Sequence, residues 1–126
     1  MALWLLPAIL AGCTHDPPSI TAATLHEIHD VTSRTVPADG SLVRTAEAER
    51  NGFRVQAMWA VQTRSDAAHY VQWVKGRMPE YHVTSETAST VTFVKTSDGD
   101  AYYIDIAARP TALGIVAEIR FTAEPD

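Results

Sequence analysis

The chain has 126 residues, with 10 Lys and Arg against 15 Asp and Glu, for a formal net charge of −5. That length suits one hydrophobic core rather than two. The acidic balance lacks the concentrated Lys/Arg surface that phosphates demand, so no nucleic-acid partner is expected, and it supplies no polybasic patch for anionic lipid headgroups.

The first segment is apolar. Ala2-Leu3-Trp4-Leu5-Leu6-Pro7-Ala8-Ile9-Leu10 runs into Ala11-Gly12 and then Cys13, the single cysteine of the chain. A membrane span needs about 20 apolar residues, and this run is far shorter. A secretory leader needs only a short apolar middle and small residues at the cut. Leu10-Ala11-Gly12-Cys13 resembles the lipobox of bacterial lipoproteins: an aliphatic residue, two small residues, then the cysteine that receives lipid. The resemblance implies a signal peptide over residues 1–12, cleavage before Cys13, a diacylglycerol thioether on its sulfur, and palmitate-type acylation of the new amine. Each buried CH₂ of such chains contributes about 0.8 kcal/mol, so two or three chains hold a protein on a bilayer unaided. Thr14 follows the cysteine. In enteric lipoproteins an Asp at that place favours inner-membrane retention, so the resemblance points to the outer membrane, facing the periplasm. The leader departs from the pattern at its front, where neither Lys nor Arg precedes Cys13. It therefore relies on hydrophobicity or starts upstream. With Cys13 committed to lipid, no disulfide can brace the domain behind it.

Residues 13–19 read as a polar, Pro-containing tether whose stretch Thr14–Ser19 reaches on the order of 20 Å. Residues 20–126 read as one α+β domain with its main body over 42–123. Thr24, Leu25, Ile28 and Val31 recur at three- and four-residue steps, a short helical segment with Ser19 as candidate N-cap. Val36-Pro37-Ala38-Asp39-Gly40 is a turn-rich break.

From Phe53, the residues Phe53, Val55, Ala57, Trp59 and Val61 alternate with Arg54, Gln56, Met58, Ala60 and Gln62, the period of a half-buried strand. Asn51-Gly52 before it favours a two-residue hairpin turn. With those two residues central, Arg50 faces Phe53, Glu49 faces Arg54, Ala48 faces Val55 and Ala46 faces Ala57. Arg44 then falls on the apolar face. Ser65 and Asp66 open a helix, Ser65 as N-cap, with Ala67, Tyr70, Val71, Val74 and Met78 on one side, Trp73 on its shoulder and Pro79 at its end. Tyr81 and Val83 suggest a short strand. A hairpin about Asp98-Gly99 pairs Phe93 with Ile104 and Val91 with Ile106. Leu113, Ile115, Ala117, Ile119 and Phe121 alternate through a last strand. The expected layout is ββαβββ, an antiparallel sheet of about five strands with one main helix on one face.

Trp59 and Thr63, Tyr70 and Trp73-Val74, Val91 and Phe93, then Asp100 with Tyr102-Tyr103 also resemble a spacing found in small bacterial envelope proteins without an assigned activity. The resemblance covers about half the chain. It implies a fold and a compartment and carries over no functional residue.

Chemistry is sparse. His26-Glu27-Ile28-His29-Asp30 spaces its histidines by three, which one helix side can present, and His26, His29 and Asp30 are the weak metal candidates. Zinc generally takes three or four protein ligands, so His15 or His82 would have to complete such a site, and a solvated polar helix face is the simpler reading. There is no G-x-S-x-G elbow and no phosphate-cradling Gly-rich loop, and Asp98-Gly99-Asp100 lacks the further oxygens of a calcium loop. No catalytic residue, cofactor or enzymatic activity is expected. Trp59 and Tyr102 point to the core. Tyr103 lies on the opposite face with Val94, Val116 and Met58, the candidate interface. The segment 20–31 folding over that face is the competing reading.

These observations point to a lipid-anchored, non-enzymatic envelope protein acting as a binding or accessory module for an envelope protein partner. Two alternatives stand beside it: an inhibitor or immunity lipoprotein against a periplasmic hydrolase or toxin, and a metal- or small-ligand-binding periplasmic domain. The sequence is silent on oligomeric state.

Overall fold

A computed structural model describes residues 20–125. The leader, Cys13 and the tether lie outside the described residues. In chain order the elements are α1 (Ala22–Thr35), β1 (Ser41–Asn51), β2 (Arg54–Thr63), α2 (Ala67–Arg77), β3 (His82–Glu86), β4 (Thr90–Ser97), β5 (Asp100–Thr111) and β6 (Gly114–Pro125). All strand pairs are antiparallel, and the sheet runs β1-β2-β6-β5-β4-β3. The α+β class stands. The sheet has six strands rather than five, and there are two helices, of which the N-terminal one is the longer at 14 residues against 11. The sixth strand is β3, a sheet edge with every residue exposed. It is the short strand that Tyr81 and Val83 suggest, left out of the ββαβββ layout; it begins at His82, after Tyr81.

The β4–β5 hairpin forms as its sequence requires, with Phe93 opposite Ile104 and Val91 opposite Ile106. Asp98 and Gly99 both take positive φ, 52° and 83°, the condition of the tight turn that Asp-Gly favours. The β1–β2 hairpin departs from expectation. Asn51 faces Arg54 and Ala48 faces Ala57, so the central turn residues are Gly52 and Phe53. Gly52 alone has positive φ, at 67°, in the first central position that a glycine-led turn uses. From Glu47 to Asn51 each β1 residue thus meets a partner two places further along β2 than expected, which keeps those side chains on their faces. Phe53 leaves the strand as a result and stands 78% exposed at the tip.

Arg44 is not on the apolar face. Irregularities on either side of it, between Leu42 and Arg44 and between Arg44 and Glu47, place it opposite Ala60. A single-residue slip flips a side chain to the other face, and bulges make such slips. Here they carry the guanidinium out to solvent. Leu113 likewise leaves its strand: Thr111 pairs with Gly114, and Leu113 sits in the turn between them, 67% exposed. Gly114 has φ of 133°, and a Cβ there would overlap the Thr63 carbonyl and the Arg64 backbone. The β5–β6 turn therefore packs directly on the end of β2.

Both helices lie on one sheet face, and the core fills the layer between. Trp59, Val61, Phe93, Ile104, Ile106, Ile119 and Phe121 from the sheet are fully buried against Tyr70, Val71, Val74 and Met78 around α2 and against Ile28 and Val31 of α1. Asp66, not Ser65, caps α2: its Oδ1 accepts from the His69 N–H at 2.8 Å. Thr21 caps α1 by accepting from the Thr24 N–H at 3.1 Å. The helix runs on to Thr35, four residues past the expected end, and Leu25 stays 40% exposed.

Candidate functional site

Because both helices occupy the inner face, the outer face of the sheet carries none of the described helical cover. The expectation that residues 20–31 fold over the outer face is therefore corrected. α1 goes to the inner face because its few apolar anchors, Ile28 and Val31, find the sheet core there.

The outer face is built of rungs read across the strands. One rung runs Val94, Tyr103, Thr122, Gln56 and Glu49. The next runs Thr92, Asp105, Arg120, Met58 and Glu47, and the next Thr90, Ala107, Glu118, Ala60 and Arg44. Val94 and Tyr103 are direct cross-strand partners, both half-buried. Met58 is 45% exposed one rung away and two strands over, with Arg120 intervening. Val116 pairs with Arg109 and Gln62. It lies three rungs from Tyr103, about 20 Å along the strands. The four candidate interface residues share a face, but only Val94 and Tyr103 touch as a pair.

Charge ladders occupy the ground between them. Glu118 stands 4.0 Å from Arg44 and 3.4 Å from Arg109, and Arg54 stands 3.3 Å from Glu124. Arg44 and Glu118 flank Ala60 in register, and Ala60 is 1% exposed between them. The Thr92 hydroxyl donates to Asp105 at 3.0 Å. A shallow hollow beside Met58 is lined by Asp105, Ala107, Glu118 and Arg120, where the small Ala107 side chain leaves space. Such a face, mixed in sign with small apolar islands, fits a polar, reversible contact more closely than an obligate dry one.

The metal candidates do not assemble. His26 and His29 are exposed, and Asp30 is engaged by Arg34 at 2.9 Å. His82 belongs to the outer-face rung of Val94, whereas α1 lies on the inner face. His15 lies outside the described residues. Among the described residues no three His, Cys, Asp or Glu side chains come together to hold a metal ion.

One polar cluster joins Glu27, Tyr81 and Tyr102, which the sequence reading treats separately, through Lys95, which it does not single out. Glu27 Oε2 accepts from the Tyr81 hydroxyl at 2.6 Å and from Lys95 Nζ at 2.7 Å. The Lys95 ammonium also lies 4.8 Å from the Tyr81 ring centre and 5.7 Å from that of Tyr102. The Glu27 and Lys95 side chains are only 14% and 20% exposed. Burial, then the Glu27 hydrogen bond, holds the Tyr81 phenol protonated well above its ordinary range. The available signal was parity: Lys95 continues the inward series Val91, Phe93 and so had to find a partner under a helix. With one carboxylate accepting from two donors, and with the ammonium over two rings, the cluster clamps α1 to β4.

A second clamp lies further along α1. Arg34 donates to Glu80 at 2.6 Å and to the Arg77 carbonyl at 3.2 Å. Its hydrogen bond holds the Glu80 carboxyl down to about 2. The third clamp is buried. Trp59 Nε1 donates to Thr35 Oγ1 at 2.9 Å, and the Tyr70 hydroxyl donates to the Thr35 carbonyl at 2.6 Å. Burial pushes the Tyr70 phenol up.

No helix among the described residues is long and apolar enough to cross a membrane. No family model, curated protein or solved structure matches this chain.

Proposed function

We propose that this protein is a lipid-anchored component of the bacterial cell envelope, held at the outer membrane through Cys13, that acts without catalysis as an accessory module. The observation that carries this reading is Leu10-Ala11-Gly12-Cys13 behind a short apolar leader. The outer sheet face, centred on the Val94–Tyr103 pair, is the surface offered to an envelope protein partner. Its support is the placement of both helices on the other face, which frees this one. The interleaved charges keep such a face soluble when unoccupied.

The test is photo-cross-linking in intact envelopes with a benzophenone side chain at Val94, and again at Leu25 on the exposed side of α1. The reading expects one defined adduct from the Val94 position, weakened by Tyr103→Asp and not seen from the Leu25 position. Equal, diffuse labelling from both positions contradicts an accessory role for the outer face.

A further inference from the structure

The two ends of the sheet are not equivalent. One end carries the Gly52-Phe53 turn, the Asp98-Gly99 turn and Pro125. The opposite end carries Leu113 and the junction of β2 with α2. The N-terminal end of α1 belongs to the first of these. Arg50, Val55, Ala123, Tyr102 and Lys95 form the inner-face rung nearest the Phe53 turn. Lys95 of that rung holds Glu27, so the chain enters the domain at this end of the sheet, on its β4–β5 side near the Asp98-Gly99 turn.

We infer that the Phe53 end of the domain faces the bilayer, and that the Phe53 side chain dips into the lipid headgroup region as a second, weak contact beside the lipid on Cys13. This rests on the lipid-anchored reading above. The lengths argue for it. Cys13 to Ile20 is seven residue steps, a reach of about 25 Å at most. The sheet is longer: β6 has 12 residues, which spans about 36–40 Å. The link therefore cannot let the Leu113 end meet the membrane first. Lying flat on the outer face brings no net attraction to anionic headgroups, because Arg44, Arg54, Arg109 and Arg120 there are offset by Glu47, Glu49, Asp105, Glu118 and Glu124.

Phe53 suits the contact. It is the most exposed large apolar side chain among the described residues, at 78%. It stands at a hairpin tip between Arg50, which donates to the Gly52 carbonyl at 2.9 Å, and Arg54. Aromatic rings favour the membrane interface, and arginine stems reach headgroups from just above it. Asp98 and Asp100 at the neighbouring turn, with Glu124 beside Arg54, oppose close approach of the whole end. The contact is accordingly confined to the β1–β2 corner.

The experiment uses the lipidated protein in vesicles of phosphatidylethanolamine with a minor fraction of phosphatidylglycerol. Once Cys13 is a thioether, an introduced cysteine is the only thiol. An environment-sensitive fluorophore is attached at Asn51→Cys, beside the tip, or at Leu113→Cys. Doxyl lipids with the nitroxide just below the headgroup serve as quencher. Both sites are exposed, so neither change disturbs the core. The expected result is a blue-shifted, quenched label at 51, an unquenched label at 113, and loss of most of the quenching at 51 when Phe53→Ser is added. A label at 51 no more quenched than at 113, or indifferent to Phe53→Ser, overturns the orientation while leaving the anchor intact. Absence of lipid on wild-type Cys13 overturns the anchor and the orientation together.

Discussion

Thr35 shows how much can hang on one small residue. It is fully buried at the end of α1, where its Oγ1 accepts from the Trp59 indole and its carbonyl accepts from the Tyr70 hydroxyl. Its own hydroxyl donates back to the Thr32 carbonyl at 2.8 Å. Valine has the same shape without the oxygen. Thr35→Val would leave the buried Trp59 N–H without an acceptor, a loss of about 1–3 kcal/mol. Urea denaturation should show the midpoint falling with the slope unchanged, and an unchanged midpoint would mean that the indole finds another acceptor. Trp59 itself was legible from its alternation with Met58 and Ala60. Its partner was not, because Thr35 lies 24 residues away and beyond the expected end of the helix.

At the scale of elements, α1 and α2 hold to the sheet by different means. α2 places Tyr70, Val71 and Val74 in the core, with Met78 at its C-cap. At about 1.5–3 kcal/mol for each large apolar side chain, burial is its main hold, and Lys75 and Gln72 add exposed contacts to Glu86 of β3 at 2.7 and 2.9 Å. α1 buries only Ile28 and Val31 as apolar anchors and adds three polar clamps, at Glu27, Arg34 and Thr35. A helix docked by apolar spacing can be read from its sequence, whereas one docked by distant polar partners cannot. That difference explains why the buried side of α2 is legible in its residues, while neither the sheet face that α1 covers nor its full length is. The hairpins divide in the same way. Asp98-Gly99 fits its turn without tertiary help, while the β1–β2 turn moved one residue because bulges around Arg44 and pairing with β6 also set that register. The Arg34 clamp carries a pH dependence. Its hydrogen bond lowers the Glu80 carboxyl from 4.5 to about 2. A depressed carboxyl contributes stability above its ordinary pKa and loses it as pH falls through the folded value. Glu80 is 42% exposed, so solvent screening keeps the contribution within about 0.2–1 kcal/mol. Wild type should melt slightly above Glu80→Gln at neutral pH, with the gap closing as pH falls from about 4.5 to about 2. A gap independent of pH would contradict an ionic clamp.

For the molecule as a whole, the sheet separates two roles. Its inner face holds the core under both helices, and its outer face presents the Val94–Tyr103 pair among balanced charges. The candidate face was legible from strand parity, since outward residues alternate strictly. Its patchwork was not, because which outward residues meet depends on strand order, and β6 lies between β2 and β5. The proposed role depends on a membrane anchor, and that proposal rests on Cys13. The most direct measurement is incorporation of labelled palmitate into the expressed full chain. The account predicts label in wild type, and its loss with build-up of uncleaved precursor in Cys13→Ala. Label persisting in Cys13→Ala, or a wild-type chain that keeps its leader and takes up none, would contradict it.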